Sequence, residues 1–110
     1  MKKNSDFFAP VYQLCSQIPR GNISTYKHLA NFLGISPRLV GQILKHNPFP
    51  SHLVPCHRVI QSNYFLGGFR GKEIALKRDK LEQEGIYFDK AGFLVNDSPK
   101  EKIIFKDFHE

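Results

Sequence analysis

Between Phe7 and Lys72 the chain carries no aspartate and no glutamate, although ten acids occur in its 110 residues. Over those 66 residues the basic side chains Arg20, Lys27, Arg38, Lys45, Arg58, Arg70 and Lys72 meet no carboxylate in sequence. Residues 73–110 are the reverse, with nine acids against seven basic groups. So lopsided a distribution leaves the first part without internal neutralisation and points to a polyanionic partner. Nucleic acid fits best, because phosphates dominate affinity through counterion release.

Other absences narrow the field. Two cysteines, Cys15 and Cys56, are too few for the dense disulfide framework of a small secreted domain, so two free thiols in a reducing compartment are expected. Zinc normally needs four ligands with local spacing such as Cys-x2-Cys, and no such pair exists. The histidines outside the Cys56 segment, His28, His46, His52 and His109, complete no pattern. No apolar run approaches the length of a membrane span. The length and the 41% hydrophobic composition predict one globular domain over residues 1–110 with a modest core. It is expected to be monomeric, cytoplasmic or nuclear, and without a membrane partner, cofactor or metal.

What is present begins with helices. Apolar residues Phe8, Val11, Leu14, Cys15 and Ile18 at helical spacing predict a helix over 7–18, closed by Pro19-Arg20-Gly21. Pro10 falls in its first turn, where it is tolerated, and Cys15 reads as a core filler. A second helix starts after Ser24 or Thr25, carries Leu29, Phe32 and Leu33, and stops at Gly34. A third opens at Ser36-Pro37, a cap followed by a first-turn proline, and runs through Leu39, Val40, Ile43 and Leu44 to Lys45. Two short helices across Gly34-Ile35-Ser36 have the dimensions of a helix-turn-helix, whose second helix leads into a DNA groove with its N-terminal residues. Arg38 stands among those residues here.

From Asn47 the prolines of Asn-Pro-Phe-Pro-Ser-His enforce a stiff loop. It delivers Leu53-Val54-Pro55, then Cys56, then Val59-Ile60 in a short buried strand. Gly67-Gly68-Phe69-Arg70-Gly71 reads as a flexible turn. A fourth helix from Lys72 or Glu73 carries Ile74, Leu76 or Lys77, and Leu81, and ends at Glu84-Gly85. Residues 86–95 read as a hairpin turning near Lys90-Ala91-Gly92, and residues 96–110 are assigned no role. The fold class is therefore mainly α with small β elements.

Pro55-Cys56-His57-Arg58-Val59 carries the chemistry. A cysteine followed by histidine and arginine on a cationic background has two of the features that supply thiolate at neutral pH. With Asn47-Pro48 upstream, and Gly67-Gly68-Phe69-Arg70 and Leu81-x-x-Glu84-Gly85 downstream, the segment resembles the O6-alkylguanine-DNA alkyltransferases. The likeness opens with Val11-Tyr12-x-Leu14 and Ile18-Pro19-Arg20-Gly21-x-Ile23-Ser24-Thr25-Tyr26, and it spans about residues 8–95.

The resemblance implies the helix-turn-helix, winged-helix-like C-terminal domain of that family, acting on double-stranded DNA that contains O6-alkylguanine. Cys56 would take the alkyl group irreversibly from a base flipped out of the duplex, a single turnover. His57 would relay the thiol proton to Glu84, Tyr26 would donate to the departing guanine, and Asn47 would brace the active-site loop. Arg38 would fill the vacated stack, with Lys27, Pro37, Gly41, Lys45 and Ser62 also meeting DNA. Gly41 is costly inside a helix unless something approaches closely. Pro50, Val59, Gly67, Phe69 and Arg70 would line the substrate pocket.

The chain departs from the family pattern in several places. The usual N-terminal domain is expected to be absent, and with it the zinc site of some members. Phe69 replaces a common tyrosine, Arg70 stands at a variable position, and the connection from Tyr26 to Arg38 looks shorter than in some relatives. Single-domain alkyltransferase-like proteins, which bind alkylated DNA without repairing it, commonly carry tryptophan where this chain has Cys56. A plain helix-turn-helix regulator would leave Pro-Cys-His-Arg-Val and Glu84 without purpose.

Overall fold

A computed structural model describes residues 3–67, 74–95 and 100–110. One tight 3-10 turn, Asn4–Phe7, leads into α1, Phe8–Ser16, with Pro10 in the first turn. The helix is shorter than its apolar pattern. Gln17 and Ile18 donate to Leu14 and Cys15 at 3.0 and 3.1 Å, a three-residue spacing that tightens the last turn and ends α1 before Pro19.

The next two helices follow their caps. Of the two candidates it is Thr25 that caps α2, Tyr26–Leu33, accepting from the His28 N–H at 3.1 Å. Gly34 closes the helix at φ +71°, a left-handed conformation that suits glycine. Ser36 accepts from the Leu39 N–H at 3.1 Å to open α3, Pro37–Lys45, with the proline in its first turn. Val40, Ile43 and Leu44 of α3 meet Leu29 and Ala30 of α2 and Val11, Leu14, Cys15 and Ile18 from α1 and its end, in one buried cluster.

Ser24–Thr25 form β1, which the sequence pattern did not reveal, and Val59–Ile60 form the expected strand, β2. The two pair in parallel, Ser24 with Val59 and Thr25 with Ile60. Because alternate side chains point to opposite faces, Val59 enters the cluster of α1–α3. Ile60 enters a second cluster with Ile23, Leu66, Leu81, Ile86 and Phe88.

Helix α4, Ile74–Gln83, buries Lys77 and Leu81. Of the two residues left open by the sequence, Leu76 is 42% exposed and Lys77 fully buried. The face one turn from Leu81 is set by helical spacing, whatever residue occupies it. The hairpin turns where expected: Asp89 donates to the Phe93 carbonyl at 2.8 Å and Gly92 to that of Asp89 at 2.9 Å. Bridges Phe88–Leu94 and Phe65–Phe93 make it a small wing.

The tail has structure that the sequence did not signal. After α5, Lys100–Ile103, the chain pairs with Ile23 on the far side of β1 from β2, and Phe108 packs into the first cluster. Among the described residues no helix is long and apolar enough to cross a membrane.

Candidate active site

The 47–55 loop is tied to itself by one side chain. Asn47, 5% exposed, donates through Nδ2 to the Val54 carbonyl at 3.3 Å and accepts through Oδ1 from the Phe49 N–H at 2.9 Å. The same Val54 carbonyl accepts the Cys56 N–H at 2.8 Å. Asn47 thus links the end of α3 to the turn that carries the thiol. That turn, Cys56–Arg58, is a single 3-10 turn whose first two side chains are buried.

His57 and Glu84, 27 positions apart, meet with Nε2 and Oε2 at 2.8 Å. Arg58 grips the same carboxylate with Nε on Oε1 at 2.9 Å and Nη2 on Oε2 at 3.0 Å. A third donor, Nη1, reaches the Ile18 carbonyl at 2.8 Å. Burial alone would raise the Glu84 carboxyl, but the hydrogen bonds and charges of Arg58 and His57 hold it below the usual carboxylate range. Burial lowers His57, and the cations Arg58 and Lys80 add to that against the pull of Glu84. The site therefore holds an ionised carboxylate against a neutral imidazole at neutral pH.

A buried lysine adds a second polar group to this region. Lys77 donates to the Val59 carbonyl at 2.7 Å, and its ammonium sits 5.7 Å from the centre of the Tyr26 ring. Burial pulls it down to about 7, and the thiols Cys56 and Cys15 act in the other direction. Burial also pushes the Tyr26 phenol up to about 12, reinforced by Cys56 and Cys15, so it keeps its proton across the physiological range.

Tyr26 opens onto a cleft of about 320 Å³. Lys27, Pro37, Arg38, Gly41 and Ser62 line the cleft with it, five residues drawn from α2, α3 and the turn after β2. A Cβ added to Gly41 would meet no atom within 4 Å, so the glycine leaves room on the cleft side that the protein itself does not fill. Lys45 lies at the exposed C-terminal end of α3, outside that lining. Pro50 is exposed on the loop, Gly67 is buried at φ +71°, and the Val59 side chain is enclosed in the core. Phe69 and Arg70 lie outside the described residues.

Three residues of this region were not picked out from sequence. Arg58 belonged to the central motif, but its grip on Glu84 depends on the fold. Lys77 carried a usable signal, one helical turn before Leu81. Gln61 completes the lining of the cleft and offered no signal beyond its place after β2.

A helix-turn-helix bordering a cationic cleft, joined to a buried thiol beside a histidine–carboxylate pair, defines a class of DNA-binding domain built round a cysteine. The sequence matches the family described as 6-O-methylguanine DNA methyltransferase, DNA binding domain, over residues 6–86, and the chain belongs to that family. It is 47% identical over 68 residues to a methylated-DNA–protein-cysteine methyltransferase of Pyrobaculum aerophilum, covering 62% of this chain and 45% of that protein. A protein of the same name from Saccharolobus islandicus is 44% identical over 84 residues, 76% of this chain and 54% of that one. The chain thus spans about half the length of the curated relatives it matches.

Among solved structures, S. pombe Atl1 in complex with damaged DNA containing O6-carboxymethylguanine superposes with a TM-score of 0.74 at 32% identity. That match covers 96% of this chain and 99% of Atl1. Mycobacterium tuberculosis OGT in complex with DNA gives 0.67 at 38% identity, over 73% of this chain and 49% of that one.

Proposed function

We propose that this domain binds double-stranded DNA containing an O6-alkylated guanine and takes the alkyl group onto the sulfur of Cys56. The observation that carries this reading is the 2.8 Å contact between His57 and Glu84, with His57 following Cys56 on the same buried turn. A neutral imidazole backed by an ionised carboxylate can accept the thiol proton and hold the resulting positive charge. The thiolate attacks the alkyl carbon, the new S–C bond forms as the C–O6 bond breaks, and the bonding pair leaves with the guanine. Tyr26, protonated at neutral pH, supplies a proton to the departing ring and is reprotonated through solvent as His57 releases the proton it took, so on balance one proton moves from sulfur to base. The thioether has no route back to thiol in this scheme, and each molecule acts once.

The cleft beside Tyr26 accounts for delivery. A base cannot be attacked inside the stack, so the nucleotide is extruded toward Cys56 while Arg38 enters the gap and Lys27, Lys45 and Ser62 meet the backbone. The space at Gly41 is left for that backbone. Pro50, Gly67, Phe69 and Arg70 would border the extruded base, whereas Val59, its side chain enclosed in the core, would meet it only through its backbone.

A second reading is favoured by the near-complete overlap with Atl1: a lesion-binding domain that holds alkylated DNA without transfer. Intact-mass measurement after incubation with an oligonucleotide bearing O6-methylguanine separates the two. Transfer adds one methylene, located on the Cys56 peptide, and Cys56→Ser abolishes the gain while retaining DNA binding. Lesion-selective binding with no gain in mass supports the sensor instead.

A further inference from the structure

The cleft holds one side chain that the reading above leaves unemployed. Gln61 follows β2 directly, and because Thr25 pairs with Ile60 in the parallel register, Gln61 stands beside Tyr26 at the cleft mouth. Its backbone is fully engaged: the N–H donates to the Phe65 carbonyl and the carbonyl accepts from the Tyr64 N–H, both at 2.9 Å. The side chain is exposed, and its carboxamide has no hydrogen-bond partner among the described residues. Its stem lies on Gly67, where a Cβ would come within 3.3 Å of Cγ and 3.4 Å of Nε2. A larger residue at 67 would push the amide out of its present position. The fold therefore supports this amide from below while leaving its polar edge open.

The chemistry of the cleft gives that edge a distinct use. Lys27 and Arg38 only donate, Ser62 offers a single hydroxyl, and Pro37 and Gly41 offer no polar side chain. Tyr26 offers one hydroxyl as well, so among the described lining residues Gln61 is the one that presents a donor and an acceptor on separate atoms of one plane, the arrangement that pairs with a nucleobase edge. Resting on the proposed DNA-repair reading, we propose that Gln61 is a specificity-determining residue that reads the base next to the extruded nucleotide, so that recognition of the lesion depends on its flanking sequence.

The test measures equilibrium binding in a Cys56→Ser background, which keeps the lesion on the DNA. The probes are duplexes with O6-methylguanine flanked on either side by each of the four bases, and the same duplexes undamaged. Gln61→Ala should level a flanking-base preference of about fivefold or more, the lower end of what one bidentate contact supplies. Gln61→Arg, which adds charge without an acceptor, should strengthen binding in every context, steepen its salt dependence and fail to reproduce the parent's ranking of flanking bases. An unchanged ranking of contexts in Gln61→Ala overturns the inference, as does an equal loss in all contexts or a parent protein indifferent to flanks. Equal affinity for damaged and undamaged duplexes would instead sink the repair reading itself, a separate outcome of the same titration.

Discussion

Lys77 shows how much one residue can ask of a small fold. Its ammonium is fully buried, donates to the Val59 carbonyl and lies over the Tyr26 ring. Below about pH 7 the amine is protonated in both folded and unfolded chains, and burying that charge opposes folding. Between about 7 and the ordinary lysine range only the unfolded chain keeps the proton, so stability rises with pH through that window. Lys77→Met keeps the unbranched shape and removes the titration. Urea unfolding from pH 7 to 9 should show the wild-type slope exceeding that of Lys77→Met by up to roughly 1.4 kcal/mol per pH unit. Parallel slopes would place the titrating group elsewhere. At this scale residue type marked Cys56 and His57, whereas Glu84 was expected only from the family resemblance; the fold brings its carboxylate to His57. The inward lysine was hidden, since composition favours Leu76 for the core and only helical phase decides between neighbours.

At the scale of elements, the helices were read well where a cap chemistry marks their ends. Thr25, Gly34 and Ser36-Pro37 act on their own backbone within a few residues, so tertiary context has little to add. The wing is less local. Gly92 turns the hairpin at φ +97°, and a Cβ there would lie 2.6 Å from Cε1 of Phe65, a residue of the neighbouring segment. Tyr64, between them in the same small assembly, holds a positive φ of 69°. Gly92→Ala should therefore cost on the order of 2 to 4 kcal/mol, combining a left-handed alanine with an overpacked contact. Thermal or urea unfolding measures it, and a change below about 1 kcal/mol would show that Phe65 moves aside freely. Glycine was legible here as a turn former, but not as the residue that lets Phe65 close on the hairpin.

Across the whole molecule, the ion pairs that join the stretch without acids to the stretch rich in them run, among the described residues, to one carboxylate. Glu84 crosses from the second part to be held by His57 and Arg58 of the first, which leaves the cleft lining free of acids. The tail performs a similar long-range task. Ile23 donates to the Ile103 carbonyl at 2.8 Å and Phe105 donates back to Ile23 at 2.6 Å, extending the pair of strands that carry Tyr26 and Cys56 at their ends. Asn22 adds side-chain bonds to the Lys102 and Ile103 carbonyls. A chain ending at Val95 loses the buried Ile103 and Phe108 with those bonds, and should be less stable by on the order of 3 kcal/mol or more in urea unfolding. Unchanged stability would show that β1 holds its place without the tail.

The sequence by itself determined the helix-turn-helix, the hairpin and the partition of charge. Each depends on local backbone chemistry or on residue identity, both readable within a few positions. The tertiary structure alone decided the pairing of two-residue strands, the fork of Arg58 on Glu84, the placing of Gln61 beside Tyr26 and the docking of the tail. These are contacts between residues up to 92 positions apart. They arise only when burial of both hydrophobic clusters brings distant segments together, an energy that no local window of sequence contains.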